Sequence, residues 1–172
     1  MIRELSTERL LLRKPHFGDV EKIHDIHNSD FVQRYNVMPK LDKVGITIML
    51  EKQMTMDTWV IEYRATGDPI GMIYKNDDSL RFKTNTCELS YWLGEDWAGQ
   101  GIMAEALRAV ISFLFDEADM SGITSRSFED NERSYKLLEK LGFKREGRLE
   151  NAVKSLDGVI HNDLIYYLKR GL

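Results

Sequence analysis

The segment that most constrains the fold spans residues 87–106, CELSYWLGEDWAGQGIMAEA, where the periodicity of the sequence changes. It begins with the alternating pattern of a strand, passes through a turn that contains Gly99 and Gly101, and continues into an apolar stripe at helical spacing. A helix N-terminus presents free N–H groups and a partial positive charge, which favour a phosphate or pyrophosphate ligand. The segment therefore predicts an anion-binding loop, with a simple tight turn as the alternative.

The rest of the chain predicts an α/β fold: a mixed sheet with an antiparallel N-terminal meander, then a βαβαβ run, and helices on both faces. Strands are expected at residues 8–14, 58–65, 70–75, 86–93, 123–128, 143–149 and 160–168, and helices at residues 18–30, 39–56, 102–118 and 131–141. Short connections between residues 58 and 93 favour antiparallel neighbours. In the second helix we expect Val44, Ile48 and the residues up to 50 to form the apolar face.

Composition limits the domain count and the partners. The chain has 172 residues, 42% of them hydrophobic, so we expect one domain over residues 1–172. The net charge of −4 lacks the basic excess of proteins that bind nucleic acid or anionic membranes, so neither partner is expected. Cys87 is the single cysteine and the N-terminus lacks a signal-peptide pattern, which predicts a cytoplasmic location. The four histidines show no metal-ligand spacing, so no metal is expected.

The glycine spacing also satisfies a second pattern, the dinucleotide fingerprint, as Gly99-x-Gly101-x-x-Ala104. That fingerprint normally lies between parallel strands, whereas here it follows an antiparallel meander. A nicotinamide or flavin enzyme is therefore the least favoured alternative.

Three ordered motifs carry a resemblance to a known family. GQGIMAEAL at residues 99–107 follows the strand ELSYWL and the aromatic Trp97. A second motif is Asn131-x-x-Ser134-x-x-Leu137-Leu138-x-Lys140-x-Gly142-Phe143, and a third is T-E-R-L-x-L-R at residues 7–13. Together they resemble the GNAT superfamily of N-acetyltransferases, in its ribosomal-protein N-terminal (Rim-type) branch. The resemblance implies an acetyl-CoA-dependent acyltransferase that acetylates a primary amine, on a protein N-terminus or a small molecule, by direct attack in a ternary complex.

The resemblance also implies which residues contact the co-substrate acetyl-CoA. Backbone N–H groups along Tyr91, Trp92 and Leu93 are expected at the acyl oxygen. The pyrophosphate is expected on the loop amides of Gly99, Gln100, Gly101, Ile102, Met103 and Ala104. Asn131 is expected to cap its helix and to contact the pantetheine or nucleotide arm.

Glu88 and Ser134 are the candidate catalytic residues. Superfamily members often use a glutamate at the level of Glu88 as base, frequently through water, although a strand glutamate can instead pair with a cross-strand cation. Ser134 could protonate the leaving thiolate, although helix capping or small-residue packing would also explain this serine. Many superfamily members carry a tyrosine acid where this chain has Leu138. That difference keeps open a non-catalytic acyl-CoA-binding or regulatory domain.

The superfamily typically shapes its acceptor site between the first helices, here residues 31–56. The predicted acceptor-binding residues are Phe31, Tyr35, Met38 and Met54, with core packing as the alternative for each. Cys87 precedes Glu88 on one strand and is expected to face the opposite side. The final strand at residues 160–168, with its Tyr166-Tyr167 pair, could support a homodimer contact, and the oligomeric state is left open.

Overall fold

The computed structural model describes residues 2–171. The strands are β1 (Leu5–Ser6), β2 (Leu10–Arg13), β3 (Thr58–Tyr63), β4 (Asp68–Asp77), β5 (Thr86–Leu93), β6 (Gly122–Phe128), β7 (Lys144–Lys154) and β8 (Ile160–Lys169). The α-helices are α1 (Val20–His27), α2 (Asp30–Gln33), α3 (Lys43–Thr55), α4 (Ile102–Asp116) and α5 (Glu132–Lys140), with short 3-10 turns at Phe17–Asp19 and Glu95–Trp97. Over residues 2–171, no helix is long and apolar enough to cross a membrane.

The strands form an 8-stranded mixed sheet in the order β1-β2-β3-β4-β5-β6-β8-β7. The pairs β1–β2, β2–β3 and β3–β4 are antiparallel, and β5 and β6 are parallel. A parallel pair needs a long crossover connection, which contains α4. β8 pairs antiparallel with both β6 and β7. The predicted α/β class and mixed sheet are confirmed.

The described residues divide into two compact units. The first comprises residues 2–74 and 91–109, and apolar side chains of α1, α3, β3 and β4 form its core: Ile23, Ile46, Met49, Leu50, Val60 and Met72. The second comprises residues 75–90 and 110–171, and its buried residues include Leu114, Ile123, Leu138, Leu164 and Tyr166. A single N-acetyltransferase domain over residues 1–172 stays a prediction, and residues 1 and 172 lie outside the described part.

The apolar face predicted for the second helix is wrong at two positions. Val44 and Ile48 of α3 are 66% and 62% exposed, whereas Ile46 and Leu50 are buried. α3 carries apolar residues on more than one side, so its periodicity does not identify a single buried face. Packing against α1 decides which side is buried, because Ile23 of α1 belongs to the same core cluster as Ile46 and Leu50.

Caps and turns shift the predicted helix limits. The Asp42 side chain accepts a hydrogen bond from the Gly45 N–H at 2.8 Å, so α3 begins at Lys43 and not at residue 39. The helix predicted at residues 18–30 is divided, because Ser29 caps α2 and accepts a hydrogen bond from the Val32 N–H at 3.3 Å. Such caps satisfy backbone donors that the helix itself cannot.

The final strand does not offer an edge to a second copy of the chain. β8 lies between β6 and β7 in the sheet order, and Tyr166 is buried. A homodimer therefore stays a prediction, without support from this strand.

Candidate active site

The glycine-rich loop adopts a backbone that requires glycine. Gly99 and Gly101 have φ angles of 77° and 76°, in the left-handed region that disfavours other residues. A Cβ atom on Gly99 would meet nothing within 4 Å, and one on Gly101 would meet only Arg9 Nη2, at 3.7 Å. The conformation, and not crowding, therefore explains these two glycines, and open space remains beside the loop backbone.

The loop leads directly into the first turn of α4. The Glu105 N–H donates to the Gly101 carbonyl at 3.0 Å, and the side chains of Ile102, Met103 and Ala104 are buried. These side chains pack in the core, so only the backbone N–H groups of the three residues could bind a ligand. The first N–H groups of a helix have no partner within the helix, which suits them to bind a pyrophosphate.

Arg9 and Thr7 secure this loop, a role that the sequence did not reveal. Glu105 Oε1 accepts hydrogen bonds from the Thr7 hydroxyl at 2.6 Å and the Arg9 N–H at 3.0 Å, and Oε2 accepts one from Arg9 Nε at 2.7 Å. Arg9 Nη1 also donates to the Gln100 carbonyl at 3.1 Å. Burial acts to raise the pKa of Glu105, but these hydrogen bonds outweigh it and lower the pKa. Thr7 and Arg9 belong to the T-E-R motif of the sequence, but the motif does not indicate that their partners are Glu105 and Gln100.

The end of β5 is closely packed within the first unit. Tyr91, Trp92 and Leu93 are partly buried, and Trp92 Nε1 donates to the Tyr74 hydroxyl at 3.0 Å. A Cβ atom at Gly71 of β4 would lie 2.5 Å from the Trp92 carbonyl oxygen. The absence of a side chain at Gly71 therefore permits the close approach that holds this part of β5. Contact with the acyl oxygen stays a prediction.

A fully buried imidazole lies beside Trp92. His27 Nδ1 is 3.1 Å from Asn28 Oδ1, while Nε2 has no hydrogen-bond partner among the described residues. The ring meets Trp92 edge to face at a centroid distance of 6.3 Å. Burial lowers the pKa of His27, the hydrogen bond with Asn28 raises it, and the charge of His24 lowers it further, with a lowered pKa as the result. The lowered pKa favours the neutral form of this imidazole at neutral pH.

The predicted acceptor residues lie in the first unit. Phe31 is on α2, Tyr35 follows it and Met54 is on α3, and all three are partly buried, whereas Met38 is exposed. The intervening chain is anchored to Asn28, whose Nδ2 donates to the Leu41 carbonyl at 2.7 Å and whose Oδ1 accepts from the Leu41 N–H at 3.0 Å. Acceptor binding by these four residues stays a prediction.

Glu88 lies in the second unit, on β5, with a half-buried side chain. Its carboxylate accepts no hydrogen bond from any residue in the described chain. Burial raises the pKa of Glu88, Arg126 lowers it, and Asp78 and Asp163 raise it again, with a raised pKa as the result. The cross-strand cation is present, but Arg126 makes its close contact with Asp163, at 2.6 Å. Cys87 is buried on the opposite side of the strand, as expected.

The second predicted motif begins with a capped helix, as expected. Asn131 Oδ1 accepts a hydrogen bond from the Ser134 N–H at 3.3 Å at the start of α5, and Gly142 ends the helix with a φ of 91°. Ser134 is partly buried, one turn into the helix. Leu138 is 1% exposed and belongs to the core, so this position supplies no acid. The catalytic role of Ser134 and the co-substrate contact of Asn131 stay predictions.

The mixed sheet and the glycine-led helix agree with the fold that the resemblance to an acyltransferase family implies. Residues 9–144 match the family model of the Acetyltransferase (GNAT) domain. The chain therefore belongs to the GNAT acetyltransferase family, whose members use acetyl-CoA as co-substrate. The open backbone beside Gly99 and Gly101 fits the pyrophosphate of that co-substrate.

Similar proteins extend over most of the chain. It is 31% identical to YoaA, an uncharacterized N-acetyltransferase of Bacillus subtilis (strain 168), over 152 residues, which are 84% of this chain and 85% of that protein. It is 37% identical to the ribosomal protein uS5-alanine N-acetyltransferase of Escherichia coli (strain K12) over 156 residues, which are 83% of this chain and 79% of that enzyme.

Two solved structures show the same fold. An acetyltransferase (GNAT family) from Bacillus anthracis matches with a TM-score of 0.88 at 22% identity, and the match covers 97% of this chain and 98% of the Bacillus anthracis chain. The Microcin C7 self immunity acetyltransferase MccE, in complex with acetyl-CoA and AMP, matches with a TM-score of 0.82 at 19% identity. The match covers 95% of this chain and 94% of the MccE chain.

Proposed function

We propose that this acetyltransferase moves the acetyl group of acetyl-CoA to a primary amine by direct attack in a ternary complex, with Glu88 as base. The observation that carries the proposal is the Glu88 carboxylate, which is half-buried, accepts no hydrogen bond from the described residues and has a raised pKa. A carboxylate with a raised pKa is a stronger base, and an amine must lose its proton before it can attack. The proposal therefore assigns the first proton transfer to Glu88, directly or through water.

The remaining steps are assigned to groups that the fold supplies. Glu88 takes the proton of the ammonium form, and the neutral amine nitrogen then bonds to the acetyl carbon. The nitrogen of the tetrahedral intermediate loses its second proton to water, and the carbon–sulfur bond breaks to release the thiolate. We propose that backbone N–H groups along Tyr91–Leu93 stabilise the oxyanion, because preorganised backbone dipoles suffice for that role. The loop amides from Gly99 to Ala104 hold the pyrophosphate, and the Ser134 hydroxyl or a water protonates the departing thiolate.

The acceptor in this proposal is an α-amine of a protein N-terminus or of a small molecule. An α-amine has a pKa near 7.7–8.0, whereas that of lysine is near 10.4, so a carboxylate base deprotonates an α-amine with less difficulty. Relatives named as ribosomal protein uS5-alanine and ribosomal-protein-serine acetyltransferases support testing peptides that begin with alanine or serine.

An acceptor panel tests the proposal. Free thiol release from acetyl-CoA is measured with peptides that begin with alanine or serine, with small α-amines and with a polyamine. Glu88→Gln is expected to lower kcat by about 10²–10⁴-fold, the usual contribution of a general base, and to leave acetyl-CoA binding unchanged. Asp119→Asn removes an exposed carboxylate of the second unit and serves as the matched control. Acetyl-CoA binding without turnover on any amine would favour a regulatory domain instead.

A second variant tests the proton donor. Ser134→Ala is expected to lower kcat roughly tenfold or more, because the proposal assigns protonation of the thiolate to this hydroxyl. The capping hydrogen bond uses the Ser134 backbone N–H and not its hydroxyl, so this variant keeps the cap. Full turnover by Ser134→Ala, with acetyl-CoA still bound tightly, would assign the protonation to water.

A further inference from the structure

The register of three strands places Glu88, Arg126 and Asp163 on one face in the second unit. Glu88 of β5 lies opposite Thr124 of β6, and Arg126 is two residues further along β6. Asp163 of β8 lies opposite Phe128, two residues beyond Arg126. Side chains alternate between the two faces of a strand, so residues two apart share a face. The three charged side chains therefore lie on the same side.

Arg126 and Asp163 form a tight ion pair. Arg126 Nε and Nη2 both lie 2.6 Å from Asp163 Oδ2. Asp163 is 2% exposed, and its Oδ1 atom is buried without a hydrogen-bond partner among the described residues. A buried carboxylate with an unsatisfied oxygen is costly, and a pair that served stability alone would gain from satisfying it. The pair is therefore weak evidence for a purely stabilising role.

The two members of the pair act on Glu88 in opposite directions. Burial raises the pKa of Glu88, Arg126 lowers it, and Asp78 and Asp163 raise it. Asp78 has its own cation, since Arg81 Nη1 lies 3.3 Å from Asp78 Oδ2. The ion pair thus presents Glu88 with a nearly neutral dipole, and burial remains the main influence on its pKa.

We propose that Arg126 and Asp163 are positioning residues for acetyl transfer, which act through Glu88 by setting the charge that surrounds its carboxylate. This role rests on the proposed function, in which Glu88 is the base. An arginine without Asp163 would stabilise the carboxylate anion and weaken it as a base. Loss of the arginine would leave Glu88 among like charges, which disfavour the anion. With both members of the pair present, the pKa of Glu88 lies between the lower value expected without Asp163 and the higher value expected without Arg126.

A direct measurement of the Glu88 pKa tests the charge-setting role without turnover. Carboxyl ¹³C NMR titration of glutamate-labelled protein provides it, and Glu88→Gln assigns the signal. Asp163→Asn is expected to lower the Glu88 pKa and Arg126→Gln to raise it, each by about half a unit to one unit. Asp119→Asn makes the same acid-to-amide change at an exposed carboxylate paired with Arg170, and it should leave the signal unchanged.

The pH profile of kcat/KM tests the catalytic consequence, because its acid limb reports the base of the free enzyme. The limb is expected to move to lower pH in Asp163→Asn and to higher pH in Arg126→Gln, while acetyl-CoA affinity is unchanged. Arg126→Lys keeps the positive charge, so it should shift the limb less than Arg126→Gln does. This arginine series also provides the test if Asp163→Asn does not fold.

The outcomes separate the two proposals. If neither variant shifts the Glu88 titration, or both shift it in one direction, the pair is structural and the inference is overturned, while Glu88 can still be the base. If the titration shifts but the acid limb does not follow, the pair does not act on catalysis, and the inference is likewise overturned. If Glu88→Gln retains full turnover, the proposed function loses its base, and the inference is lost with it.

Discussion

Arg9 joins the first strands to the glycine-rich loop, so its removal should weaken both the fold and the binding of acetyl-CoA. The hydrogen bond from Arg9 Nη1 to the Gln100 carbonyl, at 3.1 Å, contributes about 1 kcal/mol. If that energy holds the loop in its binding conformation, its loss weakens acetyl-CoA binding about fivefold, since 1.4 kcal/mol is tenfold. The ion pair with Glu105 is partly exposed, at 37% and 20%, and adds at most about 1 kcal/mol. Arg9→Ala should therefore lower the free energy of unfolding by about 1–2 kcal/mol.

Two variants and a control separate these contributions, with calorimetric titration of acetyl-CoA and urea denaturation as the assays. Arg9→Lys can still pair with Glu105, but one ammonium group cannot reproduce the arginine fork that also reaches Gln100. It should keep most of the free energy of unfolding and show the fivefold weaker binding of acetyl-CoA. Lys22→Ala removes an exposed cation that lies 3.4 Å from Asp68, and should change neither quantity by much. Unchanged acetyl-CoA affinity in both Arg9 variants would refute the proposed role of the loop contact.

Two further predictions concern the first unit. Gly71→Ala should lower the free energy of unfolding by about 2–3 kcal/mol, because its Cβ would lie 2.5 Å from the Trp92 carbonyl oxygen. Gly67→Ala, with a φ of 73° and open space, should cost only about 1 kcal/mol, and equal losses in urea denaturation would contradict the packing explanation. Because the folded-state pKa of His27 is lowered, the unfolded chain binds more protons, and stability should fall as the pH drops through about 6.5. In His27→Asn, the free energy of unfolding should depend less on pH between pH 7.5 and 5.5, by up to about 1.4 kcal/mol per pH unit. An identical pH dependence in both proteins would contradict this prediction.

Local patterns predicted some elements well and others poorly. α4 was predictable because its buried residues recur at one helical spacing and Gly99 and Gly101 mark its start. α3 was not, because it carries apolar residues on more than one side and only packing against α1 decides that Ile46, and not Val44, is buried. The Asn131 cap was predictable since its partner, the Ser134 N–H, lies in the next turn of the chain.

Partners far apart in the sequence were beyond such patterns. Arg9 and Glu105 are 96 residues apart, and Arg126 and Asp163 are 37 apart. The resemblance to a family indicated Glu88 as a candidate base, but the sequence contained no information on which cation and carboxylates would surround it. Arg126 lies on β6 and Asp163 on β8, and these two strands pair in the sheet although β7 lies between them in the chain.

The sequence alone determined the α/β class, the glycine-rich loop ahead of α4, the capped start of α5 and the membership of an acetyltransferase family. These features depend on backbone preferences and spacings within a few residues, so they are visible without a fold. Only the tertiary structure decided that Arg9 secures the loop, that His27 is buried with a lowered pKa, and that Arg126 pairs with Asp163 beside Glu88. Burial and charge depend on residues distant along the chain, and these two quantities set the basicity of a carboxylate.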